Sequence, residues 1–276
     1  VKEIFQIVGQ SELAMAEARY LKPKGDIFKG IILAASRGSA LGPLTERLPK
    51  CMLDIRGQPL LKRLVTILNE GGLRDISVVR GYRKEMINLD NIRVIDNESF
   101  AANGEAASLE CAADQLDGAC VLSYGDILFR PYILENLLAS SGDITAVIDA
   151  RWRGAGHRAA ERSVDLAVCS RPFTGDYLDE EPVWLTAIQS TGENDAEIGE
   201  PSGEFIGLIK LSAAGAETVR QELAVMKREE VLDEADLPAL MNRLIARGER
   251  IETLYVTGHW LDVDDAFDLA KARNLV

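Results

Sequence analysis

Two carboxylates spaced two apart, a lysine directly behind a proline and an aspartate closing an apolar run are the side chains whose types and spacing suggest chemistry. In Trp260-Leu261-Asp262-Val263-Asp264-Asp265 the alternation puts Asp262 and Asp264 on one face of an extended segment. Asp126 follows the apolar run Cys120-Val121-Leu122-Ser123-Tyr124-Gly125, at the carboxyl end of a sheet strand, where ligands of open α/β sheets bind. Together the three carboxylates would make an oxygen-only site for Mg²⁺ already carrying triphosphate oxygens. Each also has a plainer use: Asp126 as the N-cap of a helix opening at Pro131, and Asp264 or Asp265 as the cap of the last helix. Lys50 stands behind Pro49, which fixes the entry angle, so a long ammonium side chain can reach back over the strand ends; an exposed lysine otherwise serves solubility. Between the first strand and Lys50, the stretch Ala34 to Thr45 is rich in small residues whose backbone N–H groups could approach phosphates closely. It has neither Walker A nor dinucleotide spacing, and a surface turn is the alternative reading.

The elements that would carry these groups alternate strand and helix. A strand at Gly30 to Ala35, a loop at Ser36 to Pro49, a helix at Pro59 to Gly71 and a strand at Asp75 to Arg80 make a βαβ unit, which implies a parallel sheet. Further strands are expected at Arg93 to Ile95, Ala119 to Ser123, Ile144 to Asp149 and Val164 to Val168, with helices at Ala106 to Ala113 and Pro131 to Ala139. From Ser170 to Gly203 the chain turns polar and rich in Gly and Pro, which suggests an insertion or a substrate-side subdomain. A strand at Phe205 to Leu211, helices at Ala213 to Glu229 and Leu237 to Arg247, a strand at Ile251 to Val256 and a helix at Ala266 to Arg273 complete the pattern. The fold class is α/β, a Rossmann-like, mostly parallel mixed sheet flanked by helices. One domain is expected over 29–276, preceded by a helix and linker from a preceding domain over 1–28, with the breaker-rich Lys22-Pro23-Lys24-Gly25 at the end of the helix.

Composition excludes several classes. With 276 residues, 47% of them hydrophobic and 27% charged, the chain suits a globular α/β protein. Its apolar runs are strand-length, far below the ~20 residues of a membrane span. A net charge of -13 argues against nucleic-acid binding. Locally, Arg37 to Arg63 holds six basic residues against two acidic ones, which would draw a small polyanion. The four scattered cysteines fit reduced thiols and a cytoplasmic setting. The first residue is Val, which suggests a piece of a longer protein. Gly154-Ala155-Gly156-His157-Arg158-Ala159 has the G-x-G-x-x-A spacing, but the segment after it is too short for the required helix, so it reads as a loop.

In this order the motifs resemble the nucleotidyltransferase family, which includes the sugar-phosphate nucleotidyltransferases and the phosphocholine cytidylyltransferases. The matching stretches are Ile31-Ile32-Leu33-Ala34-Ala35, Pro43-Leu44-Thr45, Pro49-Lys50, Leu53 to Leu61 and Val78 to Tyr82. The resemblance covers nearly all of Lys29 to Val276. It implies that Leu33, Ala34, Ala35, Ser36, Arg37, Gly38, Gly81 and Ser108 lie on the nucleotide, that Lys50 and Asp126 are catalytic, and that Asp126 with Asp262 or Asp264 holds Mg²⁺. The family has Gly where this chain has Ser36 and Arg where it has Ala40. Losing that arginine removes a charge-assisted contact worth roughly 1.5 to 3 kcal/mol, for which Arg37 or Arg47 is the available replacement. Ala34 to Gly38, Gly104 to Leu109 and Gly203 to Gly207 look like the branch that cytidylylates 2-aminoethylphosphonate, and Val1 to Leu21 is similar to the tail of a phosphoenolpyruvate mutase domain, a fused partner.

The expected reaction is attack of a phosphonate oxygen on the α-phosphorus of CTP with release of pyrophosphate. The acceptor oxygen is already ionised, so no general base is needed, and His157 and His259 are not required; His259 is expected to be half-buried. Glu204 and Phe205 are the expected acceptor contacts, with Trp184 beside them, their ordinary alternative being core. Sugar 1-phosphate or phosphocholine is the alternative acceptor, and a catalytically silent nucleotide-binding or assembly domain is the alternative of another class.

Overall fold

The computed structural model describes residues 27–152, 164–176, 181–190 and 199–275. The helix and linker expected over 1–28, apart from Ile27 and Phe28, and the Gly154 to Ala159 spacing with His157 lie outside the described residues. From the amino end the chain runs β1 (Lys29–Ala34), β2 (Asp54–Ile55), β3 (Gln58–Pro59), α1 (Leu60–Glu70), β4 (Ile76–Arg80) and β5 (Arg93–Asp96). Then come α2 (Glu105–Cys111), β6 (Cys120–Tyr124), β7 (Ile127–Phe129), α3 (Pro131–Ala139), β8 (Ile144–Asp149), β9 (Asp165–Cys169) and β10 (Trp184–Ser190). The last elements are β11 (Gly203–Leu211), α4 (Ala213–Arg228), α5 (Leu237–Ala246), β12 (Ile251–Val256), β13 (Trp260–Asp262) and α6 (Ala266–Leu275).

The main sheet orders its nine strands β5-β4-β1-β6-β11-β8-β12-β10-β9. The strands β5, β4, β1 and β6 are parallel, β11 runs antiparallel to both β6 and β8, and β12 is parallel to β8. β1 is the reason the sheet is covered on both sides. Its Ile31 and Leu33 enter one apolar cluster while Ile32 and Ala34 enter the other, so an unbroken apolar run is what a doubly buried strand requires. One cluster is closed by α2, α4 and α5, through Leu109, Leu223 and Leu240 among others. The other is closed by α1 and α3, through Leu61, Leu64 and Ile133. A third, smaller cluster joins Leu41, Ile55, Leu128, Leu261 and Leu269 beneath the β2–β3 hairpin. Two-stranded pairing of β13 with β7 brings the C-terminal acidic segment alongside the residues that follow Asp126.

The expected elements agree with the observed ones to within a few residues, with one exception. The polar stretch expected to be an insertion contains β10, which lies in the main sheet between β12 and β9. β9 also pairs with Gly203 and Glu204 at the start of β11, which curls that end of the sheet. Among the described residues no helix is long and apolar enough to cross a membrane, and the four cysteines are free.

Candidate active site

The strands β1 and β6 are neighbours in parallel, so their carboxyl ends open on the same edge of the sheet. Ala35 and Ser36 leave β1 there, and Gly125 and Asp126 leave β6, with the Gly125 N–H donating to the Leu33 carbonyl at 2.8 Å. Asp126 is not a helix cap: α3 opens after Arg130 with no side-chain cap, four residues further on. The carboxylate of Asp126 turns instead to Lys50, whose Nζ lies 2.8 Å from Oδ2, and the same ammonium is paired with Asp264. Residues 50, 126 and 264 thus meet at one point. The question of which late aspartate caps the last helix is also answered. Asp265 Oδ1 accepts from the N–H groups of Phe267 and Asp268, at 2.7 and 2.8 Å, leaving Asp264 to Lys50.

Lys50 is only 5% exposed, which is unusual for a lysine unless it is paired. Burial works against its charge, but Asp126 and Asp264 outweigh burial and hold the ammonium above the ordinary lysine range. The sequence alternative of an exposed, solubilising lysine does not apply. Beside it, burial pushes the Cys51 thiol up to about 12, with Asp126 adding to the effect, so this cysteine is an inert packing group.

Above these residues lies a cavity of about 340 Å³, lined by Leu33, Ala35 and Ser36 from the loop after β1 and by Asp126, Asp262 and Asp264. Ser108 lines it too, its hydroxyl accepting from the buried Asn97 Nδ2 at 3.0 Å. A second set of carboxylates, Glu105, Asp165 and Asp236, completes the polar lining. Burial first, then the charges of Asp236, Asp165 and Asp126, raise the Glu105 carboxyl above its ordinary range, against a favourable backbone hydrogen bond. Tyr124 shares the lining, its phenol raised by burial and by the same carboxylates.

Oxygen donors alone suit a hard divalent cation, and the described residues hold no ready group of three or more His, Cys, Asp or Glu for one. Asp126, Asp262 and Asp264, expected to form such a group, therefore do not make a metal cage by themselves, and what they offer is oxygen donors of the kind Mg²⁺ takes beside substrate phosphates and water.

The remaining expected site residues fall into two sets. Ala34 is turned into the core, Arg37 lies over the Tyr82 ring at 5.7 Å, Gly38 rests on the Lys50 stem and Gly81 packs against Phe100, itself part of the lining. These four sit around the cavity without being part of its wall. Glu204 and Phe205 are buried in β11 and are absent from the lining, and Phe205 packs edge-on to Tyr124 at 6.2 Å. Trp184 likewise lies elsewhere, under the Arg250 guanidinium at 5.3 Å. His259 is exposed rather than half-buried, and its Nδ1 lies 3.0 Å from the Tyr132 hydroxyl, outside the cavity. Sequence reading missed Glu105, Asp165 and Asp236 as cavity residues.

Residues 30–189 match the family described as the MobA-like NTP transferase domain. Over 260 residues, 87% of this chain and 96% of the relative, the sequence is 23% identical to a CTP:phosphoglutamine cytidylyltransferase of Campylobacter jejuni. It is 29% identical over 104 residues to a 2-aminoethylphosphonate cytidylyltransferase of Lancefieldella rimae, a match spanning 36% of this chain and 42% of that protein. The solved structure of a CTP:phosphocholine cytidylyltransferase from Streptococcus pneumoniae shares the fold, with a TM-score of 0.69 over 90% of this chain and 98% of that one at 19% identity. Because the family match runs from β1 through β10 and includes the loop after β1, Lys50 and Asp126, the chain belongs to the MobA-like NTP transferase domain family.

Proposed function

We propose that the chain is a cytidylyltransferase that moves CMP from CTP to a small phosphonate bearing an ammonium group, such as 2-aminoethylphosphonate, and releases pyrophosphate. The observation that carries this reading is the charge of the cavity: Asp126, Asp262 and Asp264 line it, with the buried ammonium of Lys50 paired to Asp126 and Asp264, and a further carboxylate set, Glu105, Asp165 and Asp236, lines it as well. A sugar phosphate offers nothing positive to that second set. An aminoalkyl phosphonate offers an ammonium, and desolvated carboxylates reward a cation far more than a neutral hydroxyl. Asp236 already accepts from the Ala239 N–H at 2.7 Å and Asp165 from the Ser190 hydroxyl, so Glu105 is the strongest candidate for the acceptor amine, in place of Glu204 and Phe205.

In the reaction an oxygen of the phosphonate attacks the α-phosphorus of CTP, the bond from that phosphorus to the bridging oxygen breaks, and pyrophosphate leaves with the electron pair. The attacking oxygen is already ionised, so no residue need take its proton. Lys50 neutralises charge on the phosphates, and the backbone of Ala35 and Ser36 positions them. Asp126 with Asp262 or Asp264 would hold Mg²⁺, whose contribution when bound is charge neutralisation on the triphosphate. The similarity to a CTP:phosphoglutamine cytidylyltransferase and to a 2-aminoethylphosphonate cytidylyltransferase supports the choice of nucleotide.

Pyrophosphate release measured across four NTPs and a panel of acceptors tests this. CTP with 2-aminoethylphosphonate should give the highest kcat/KM, ethylphosphonate should lose at least tenfold, and Lys50→Ala or Asp126→Ala should lose about 10² to 10³ in kcat, the size of one missing preorganised charge. Equal turnover of ethylphosphonate, or a preference for a sugar 1-phosphate, would remove the acceptor assignment. No turnover with any NTP in the presence of Mg²⁺ would make this a silent nucleotide-binding domain.

A further inference from the structure

Gly38 and Lys50 are twelve residues apart, yet they are in closer contact than a side chain at position 38 would permit. A Cβ built on Gly38 falls 2.8 Å from both Cβ and Cδ of Lys50 and 3.0 Å from Cγ, well inside van der Waals contact. Neither partner can withdraw. The Lys50 backbone sits in a short 3₁₀ turn, Lys50–Met52, held by the Met52 N–H on the Pro49 carbonyl at 2.9 Å and the Leu53 N–H on the Lys50 carbonyl at 3.1 Å. The Gly38 carbonyl is held by the Leu41 N–H at 3.1 Å and the Thr45 hydroxyl at 3.0 Å, and Leu41 and Thr45 are themselves buried. Contact along the stem from Cβ through Cγ to Cδ, beginning at the fixed end of the lysine, leaves the ammonium as the part that must move.

We propose that Gly38 is a positioning residue: the missing side chain lets the loop backbone lie on the Lys50 stem and aims the ammonium into the gap between Asp126 and Asp264. The loop after β1 and the lysine are then one unit. The inference rests on the reading of Lys50 as the phosphate-facing cation, but the placement of its ammonium is measurable without any reaction.

The experiment follows the side-chain ammonium of Lys50 by NMR in ¹⁵N-lysine-labelled protein, with Lys50→Arg to assign the signal. In the wild type that signal should be resolved and slow to exchange, as a buried, paired ammonium is. Gly38→Ala should shift it to the position of a free lysine. Gly72→Ala, at a glycine with φ +99° and open space around it, should leave it in place, since it carries only the cost of the backbone conformation. In the pyrophosphate assay Gly38→Ala should lower kcat about a hundredfold, the cost of misplacing a reacting group by about 1 Å, with KM for CTP moving much less. An unshifted Lys50 signal in folded Gly38→Ala, or an equal shift in Gly72→Ala, would overturn the proposal.

Should Gly38→Ala fail to fold, melting in a Lys50→Gly background decides. The alanine should lower the melting temperature less once the stem is gone, and an undiminished loss would overturn the proposal. If no NTP turns over, the functional reading fails while the NMR result still judges this one.

Discussion

Glu105 is where binding and stability pull in opposite directions. Its carboxyl is raised by burial and by Asp236, Asp165 and Asp126, so the folded protein binds its proton more tightly than the unfolded chain does. The sign follows from that difference: ionising Glu105 costs stability at neutral pH, and the cost is relieved as pH falls into the carboxylate range and below the raised value. A neutral isostere should therefore stabilise the ligand-free protein. We expect Glu105→Gln to melt above the wild type at pH 7, with the gap closing as pH is lowered, while KM for the ammonium-bearing acceptor rises. Thermal melts over a pH series together with acceptor kinetics check both parts. A variant that melts below the wild type at pH 7 would mean that the carboxylate has a partner in the fold worth more than its desolvation.

Among the elements, α6 decides how firmly the late aspartates are held. The helix packs on the β2–β3 hairpin and on β13 through Leu269 and Ala272, in the same apolar cluster as Ile55, Leu261 and Val263. Asp265 caps its first turn. Replacing Asp265 with Ala should cost about 1 kcal/mol of stability, read from urea unfolding, with Lys50 still paired to Asp264. Lost turnover at unchanged stability would instead put Asp265 among the reacting groups. The sequence put Asp262 and Asp264 on one face and left open whether Asp264 or Asp265 caps the last helix, and only the backbone N–H groups of Phe267 and Asp268 turning to Asp265 separate the cap from the cavity residues. β10 was hidden for a related reason. A register shift between Leu185 and Ala187 puts Leu185 and Ile188, three residues apart, into one apolar cluster, so the alternation that marks a half-buried strand is broken. β1 and β6 were legible because burial on both faces writes itself as an unbroken apolar run. Asp236 and Glu105 were not, because a cap before a helix and an acid in a helix's first turn each have an ordinary structural explanation.

Charge governs the molecule as a whole. The chain carries -13, and six carboxylates line its cavity, two of them, Asp126 and Asp264, paired with the buried ammonium of Lys50. Much of the basic stretch that would draw a polyanion is spent elsewhere. Arg63 donates to the Ile55 carbonyl at 2.9 Å, and Arg37 lies over Tyr82. A free nucleotide triphosphate, itself strongly anionic, meets repulsion from Asp126, Asp262 and Asp264 that Lys50 alone cannot cancel. On the proposed function, a divalent cation alone would meet an ammonium already seated between Asp126 and Asp264. Each ligand therefore removes what opposes the other, and coupling between them must be positive and reciprocal. In melting experiments CTP with EDTA should shift the transition little and Mg²⁺ alone only modestly. Both together should shift it by more than the sum of the two. At a hundredfold excess over Kd the stabilisation is about 2.7 kcal/mol, or about 5 to 10 °C for a protein of this size. Simple additivity would mean that nucleotide and metal occupy separate sites, and the cluster of Lys50, Asp126 and Asp264 would then be a structural ion pair at the rim of the sheet.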